Sequence, residues 1–77
     1  MSKTYYRIKR VSDNKYNGVW FGQWNEVGKA KIFKGKGGVT TRLKAFSYYG
    51  QDCVDPNDYV IEECQLSVVA QYKGLEW

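Results

Sequence analysis

Between Lys34 and Val39 the period of the chain changes, and that change limits the architectures open to it. Ahead of Gly35-Lys36-Gly37-Gly38 the apolar residues tend to alternate. Behind it Val39, Leu43 and Phe46 recur at i, i+4 and i+7, which is one face of a helix. Further on, the β-branched residues of Tyr59–Val69 predict a return to strand. A chain of 77 residues has room for one sheet and one helix but not for a second domain or a deep cofactor cleft. The expected fold is α+β, with residues 1–77 forming a single domain. Its sheet has three to four strands, one helix packs across one face, and the element order is β-β-β-α-β.

The pattern assigns a place to most residues. Thr4–Val11 predicts the first strand, with Tyr6 and Ile8 on one face and Arg7 and Lys9 on the other. Ser12-Asp13-Asn14-Lys15 predicts a turn, because Asp and Asn side chains bond locally and tolerate left-handed backbone. Tyr16–Phe21 predicts a second strand weakened by Gly18, and the connection Gly22–Gly28 can hold extended residues around Trp24. Lys29–Lys34 predicts a third strand, with Ala30 and Ile32 on one face and Lys29, Lys31 and Phe33 on the other. Thr40 or Thr41 serves the start of the helix and Gly50 its stop. Gln51–Asp58, holding Pro56, predicts a loop.

Alternation slips in the last predicted strand. Tyr59 and Ile61 share one parity; Cys64, Leu66 and Val68 share the other. A bulge at Glu62-Glu63 would return both sets to the core face. A rival helical reading aligns Ile61, Cys64, Val68 and Tyr72. If the strand lies beside the first, Glu62 or Glu63 stands opposite Arg7 or Lys9, a pairing worth roughly 0.2–1 kcal/mol.

Charge is divided along the chain. Residues 1–50 carry eleven Lys/Arg against Asp13 and Glu26, a net of +9, whereas residues 51–77 carry Lys73 against six acids, a net of −5. A basic half points to a polyanion or an acidic partner; folding of one half against the other would neutralise it internally.

Catalytic chemistry finds little footing. The chain has no His, so the commonest base near neutral pH is missing. Cys53 and Cys64 have no base partner, and Ser47 and Ser67 no triad. Asp52, Asp55 and Asp58 fall in a polar loop at a spacing unlike that of a calcium loop, and turn and cap duties account for them. A zinc site would need both cysteines and two carboxylates, so no metal and no cofactor is expected. Gly35–Thr41 lacks the Gly-Lys-Ser/Thr of a nucleotide-binding loop. What remains is a glycine-rich helix start with Lys34, Lys36 and Arg42 around it, either a flexible connection or an anion contact.

The start of the chain is polar and basic, without the apolar core of a secretory leader, and the run Leu66–Ala70 is too short to cross a bilayer. The expectation is a reducing compartment with free thiols and no membrane association. Thirteen aromatic residues exceed what so small a core can hide. Adjacent strand residues point oppositely, so Trp20 and Phe21 cannot both face inward. Trp20 and Trp24 are therefore candidate anchors for a protein partner or an unpaired base.

The segments Tyr6-Arg7-Ile8-Lys9, Gly28-Lys29-Ala30-Lys31-Ile32-Phe33 and Tyr59-Val60-Ile61-Glu62-Glu63-Cys64-Gln65-Leu66 resemble a loose group of small bacteriophage proteins. These begin on Y-x-I-[KR], carry a G-K-[VA] strand and finish on Y-x-I-x-E-x-x-L. The resemblance implies a viral accessory protein in the cytoplasm of a bacterial host cell, binding and inhibiting or modulating a host or defence protein or nucleoprotein complex. It transfers no site residues. Three strands followed by a helix is also similar to the ethylene-response DNA-binding domains of plants and the arm-binding domains of phage integrases. That likeness implies a basic nucleic-acid-binding domain using its sheet face, with Arg7, Lys9, Lys29 and Lys31 supplying the charge. The partner-binding candidates are Arg7, Lys9, Trp20, Trp24, Lys29, Lys31, Lys34, Lys36 and Arg42.

Overall fold

A computed structural model of the chain describes residues 4–20, 23–48, 57–65, 67–74 and 77. Among them, strands β1 (Tyr5–Arg10), β2 (Lys15–Asn17), β3 (Trp24–Asn25), β4 (Tyr59–Cys64) and β5 (Val68–Lys73) form one sheet in the order β3-β2-β1-β4-β5, every neighbouring pair antiparallel. Helix α1 (Lys36–Tyr48) crosses one face. The α+β class holds; the strand count and order differ from those expected from sequence.

Alternation does its work in β1, whose core residues meet those on one face of β4. Ile8 stands opposite Ile61, and Tyr6 and Tyr59 share their face by parity. These four join Phe33, Val39 and Phe46 in the buried core, with Trp24, Leu43, Tyr72 and Trp77 packed around it. The helical stripe read from sequence is therefore the face that docks: Val39 and Phe46 are buried and Leu43 is partly so. Phe46 lies between Trp24, stacked at 6.0 Å, and the edge of Tyr59 at 5.6 Å. The turn after β1 also forms as expected. Asn14 takes the left-handed backbone (φ 58°), and the Asp13 carboxylate accepts from the Lys15 N–H and from the Arg10 guanidinium.

Three expectations are corrected. The third strand over Lys29–Lys34 is replaced by a 3-10 turn, Val27–Lys29, and an extended stretch that joins the sheet by one bridge, Phe33 to Tyr6. The strand β2 already occupies the edge of β1 at Lys9 and Arg10, so only the Tyr6 end is open to this stretch. Within it Phe33 is buried and Ile32 exposed.

The helix begins at Lys36, ahead of the expected threonines. Gly37 and Gly38 lie inside it, and Thr41 Oγ1 donates to the Gly37 carbonyl from within the helix. The expected stop at Gly50 lies outside the described residues, as does most of the loop 51–58.

The last strand is two strands. The chain reverses after Cys64 and returns as β5, with a register shift between Glu63 and Cys64 where the expectation placed a bulge at Glu62-Glu63. The parity slip has a different cause: β4 buries residues on both of its faces. Tyr59 and Ile61 turn toward the helix, whereas Glu62 and Cys64 are buried on the opposite side. Cys64 is a free thiol whose pKa is pushed up by burial. Cys53 lies outside the described residues.

Candidate partner-binding site

The loop from β2 to β3 presents the most exposed aromatic among the described residues. Strand β2 ends at Asn17, earlier than expected, and the chain bends through Val19 and Trp20 before returning at Gln23. The Gly18 N–H donates to the Gln23 carbonyl at 2.8 Å, and the Gln23 N–H donates to the Trp20 carbonyl at 3.0 Å. Val19 is 63% and Trp20 72% exposed, although their backbone is closed on itself.

Two polar side chains hold this tip from below. Asn17 is fully buried, and its amide nitrogen donates to the carbonyls of Trp20 (3.3 Å) and Gln23 (3.1 Å). Its amide oxygen accepts from the Arg42 guanidinium, which reaches across from α1. Arg42 also donates to the carbonyls of Gly18 at 2.9 Å and Val19 at 2.8 Å. A guanidinium suits this task, because its planar fork satisfies several acceptors that an ammonium could not reach together. Burial draws the Arg42 pKa down, but the group stays charged at any physiological pH. Its central carbon Cζ lies 5.4 Å from the centre of the Phe33 ring, a cation–π contact.

Trp20 is thus a surface side chain on a fixed backbone. Trp24 is not: it stacks on Phe46 with its other neighbour, the Arg10 guanidinium, 4.7 Å from its ring centre, and belongs to the edge of the core. Arg42, expected off the apolar stripe and free for a partner, is engaged internally as the brace of the tip.

The remaining cations separate into groups. Arg7 and Lys9 lie on the sheet face that the helix leaves open. Arg7 donates from Nε to Glu62 Oε1 at 2.6 Å and sits 4.7 Å above the Tyr16 ring. Tyr16 and Gln71 also donate to the Glu62 carboxylate, at 3.1 and 3.0 Å. Burial alone would raise the Glu62 pKa; the three donors outweigh it and hold the carboxyl below its ordinary value. Much of the positive charge expected on this face is thereby neutralised.

Lys31 and Lys34 line a shallow cleft with Ile32, Phe33, Thr41 and Arg42, between the extended stretch and the helix. Lys31 is tied to the tip, since its N–H donates to the Asn17 carbonyl at 2.9 Å. Lys29 is exposed at the end of the 3-10 turn, and Lys36 is exposed at the first residue of α1. The structure brings Lys31, Lys34 and Arg42 together and leaves Arg7 and Lys9 on another surface.

Asn17 escaped the sequence reading. The Asn17-Gly18 dipeptide is a turn signal and could have been used to end the second strand there. Nothing in the sequence indicated that the amide would be buried or that Arg42 would meet it. The chain matches no protein-family model, no curated protein and no solved structure.

Proposed function

We propose that this protein is a non-enzymatic binding module that docks on another protein through the Val19–Trp20 tip. The observation that carries this reading is the combination of a 72% exposed tryptophan with a backbone pinned by Asn17 and Arg42. A large aromatic on a fixed backbone spares the cost of ordering the loop on binding, and such residues supply most of the energy at protein interfaces. Exposing it to water in the free state is unfavourable for solubility, which gives the arrangement a functional sense. Lys29, Lys31 and Lys34 then serve to speed association with an acidic rim around the receiving pocket. The partner class proposed is a bacterial host or defence protein, alone or in a nucleoprotein complex, as the likeness to phage accessory proteins implies.

Direct nucleic-acid binding by the sheet face receives less support. Arg7 is committed to Glu62, and Lys29 and Lys31 do not lie on a strand of the sheet.

Capture from bacterial lysate, with and without nuclease, tests the proposal when wild type is compared with Trp20→Ala. Capture that survives nuclease and is lost in Trp20→Ala is expected, with a truncation cost of roughly 2 kcal/mol or more for an anchor of this kind. Capture that disappears on digestion and ignores Trp20→Ala would replace this reading with nucleic-acid binding.

A further inference from the structure

The backbone of β5 carries hydrogen-bonding groups that the sheet does not use. In an antiparallel ladder the N–H and C=O of one residue point to the same side, and the side alternates along the strand. Tyr6 exchanges both bonds with Phe33, at 2.7 and 2.8 Å, so Tyr6, Ile8 and Arg10 turn away from β4. Tyr5, Arg7 and Lys9 therefore turn toward β4, as does Val11, whose N–H donates to the Asp58 carbonyl at 2.7 Å. Their partners Cys64, Glu62 and Val60 turn back toward β1, which leaves Ile61 and Glu63 facing β5. Ile61 pairs with Tyr72 and Glu63 with Ala70. The backbone groups of Ala70 and Tyr72 are consequently used inside the sheet, and those of Gln71 and Lys73 point out from its edge.

This edge lacks most of the usual protections. The opposite edge, β3, is two residues long; β5 has six residues, no proline and a single charge, Lys73. Val68 and Val69 are 39% and 49% exposed beside it. Among the described residues its protections are Lys73 and the irregularity opposite Cys64, where Val69 is the extra residue, and they leave the backbone of Ala70–Lys73 regular.

We infer that β5 is a self-association edge, pairing antiparallel with β5 of a second copy about a two-fold axis at Tyr72. Water satisfies the open edge in the monomer and a second extended strand can take its place; the single charge, Lys73, and the irregular residue Val69 select the register. Pairing of Lys73 with Lys73 of the second copy would oppose like charges. Centring on Gln71 would carry the ladder into the irregular residue Val69. With the axis at Tyr72, Gln71 of each copy meets Lys73 of the other, and the outward N–H and C=O of both residues are used. On the open sheet face this extends the row Arg7–Glu62–Gln71 by one lysine, one strand spacing of about 4.8 Å beyond Gln71. The cation is thereby added to the row that holds the buried carboxylate. The axis stands perpendicular to the sheet, so both helices lie on the same side of a sheet continuous through the two copies. The Val19–Trp20 tips are near the other edge and stay accessible, so this inference does not depend on the function proposed above.

So short a ladder buries well under the roughly 1,200 Å² of a standard stable interface, and the association is accordingly weak. Sedimentation equilibrium from about 10 µM to about 1 mM tests it, since a complex of low affinity fills across such a range. A monomer–dimer equilibrium is expected, and a monomer at every concentration overturns the inference. Lys73→Pro removes an outward N–H without touching the β4–β5 ladder and should weaken dimerisation about tenfold or more, or ~1.4 kcal/mol. Amide exchange on wild type gives a readout independent of that variant's folding. The Gln71 and Lys73 amides should slow as concentration rises, while Ala70 and Tyr72 stay constant. A dimer whose Gln71 and Lys73 amides exchange as fast as in dilute solution also overturns the inference.

Discussion

Glu62 stands directly opposite Arg7 across the β1–β4 pair, and the guanidinium Nε lies 2.6 Å from the carboxylate. The pair occupies the face of the sheet that carries no helix, yet the Glu62 side chain is almost completely buried. Arg7, Tyr16 and Gln71 cover it themselves. A carboxylate surrounded in this way is stable only while it is ionised, which gives the fold a dependence on pH.

The Glu62 carboxyl titrates below its unfolded value of about 4.3, so its contribution to stability is present above that pH and is lost as pH falls through the folded value. Asp13 acts in the same direction: hydrogen bonding by Arg10 brings its pKa to about 2. Glu62→Gln should destabilise the protein by about 2 kcal/mol at neutral pH, less than a fully buried pair because Arg7 keeps some solvent contact. The difference from wild type should narrow as the pH falls below the unfolded value and on through the folded one. Urea denaturation at stepped pH measures both, and a difference that stays constant through the acid range would contradict the assignment.

Arg42→Ala removes the brace of the tip and leaves Asn17 and two carbonyls to find other partners. A loss of about 2 kcal/mol is expected, within the range for hydrogen bonds to a charged group. Amides between Gly18 and Asn25 should exchange faster than those of β1 and β4. Arg42→Lys should recover only part of the loss, because one ammonium cannot reproduce the fork. Full recovery by lysine would show that charge alone matters here.

Phe46→Ala should cost about 3–5 kcal/mol, close to the whole stability of so small a domain. The ring contacts both Trp24 and Tyr59, so the emission of Trp24 should shift to the red in the same variant. Thermal melting with tryptophan fluorescence reads both effects, and a wild-type melting temperature would mean the helix docks otherwise.

Gly37 and Gly38 are adjacent in the first turns of α1 but face different surroundings. A Cβ at Gly37 meets nothing within 4 Å, so Gly37→Ala should stabilise by about 0.5–1 kcal/mol through helix propensity. A Cβ at Gly38 comes within 3.2 Å of the Phe33 ring, which is buried and cannot retreat easily. Gly38→Ala should therefore gain less than Gly37→Ala or lose stability outright, as thermal melts of the two variants would show.

The glycines also mark where sequence reasoning reached its limit. Their cluster ended one period and opened another, and the helix was found with its apolar stripe in the right register. A threonine start signal points to Thr40 or Thr41, whereas the helix opens at Lys36 and takes both Gly37 and Gly38 into its first turns. Alternation located β1 and the faces of Tyr6 and Ile8 because only one side of that strand meets the helix. It failed in β4, where Tyr59 and Ile61 are buried on one side and Glu62 and Cys64 on the other. The hairpin into β5 is hidden in the same segment, since Gln65-Leu66-Ser67 between β4 and β5 contains no Gly, Pro, Asn or Asp to signal a turn. For the site, alternation left Trp20 and Phe21 as alternatives, and Trp20 is exposed because the strand ends at Asn17 and the chain bends. The roles of Asn17 and Arg42 rest on a contact across 25 positions in sequence that no local pattern encodes.

Tyr5–Arg10 is made first and ends in the middle of the sheet, between β2 and β4. The hairpins β1–β2 and β4–β5 close over short turns, on a timescale of about 1–10 µs. Joining them requires Arg10 to meet Tyr59 and Tyr5 to meet Cys64, a closure over most of the chain. Pairing over so long a stretch of chain is slow relative to the closing of local hairpins. During synthesis at about 5–20 residues per second, β1 waits roughly 3–10 s with its inner edge open before β4 exists to cover it. Through that interval the nascent chain carries an open strand edge, a template on which mispairing can start.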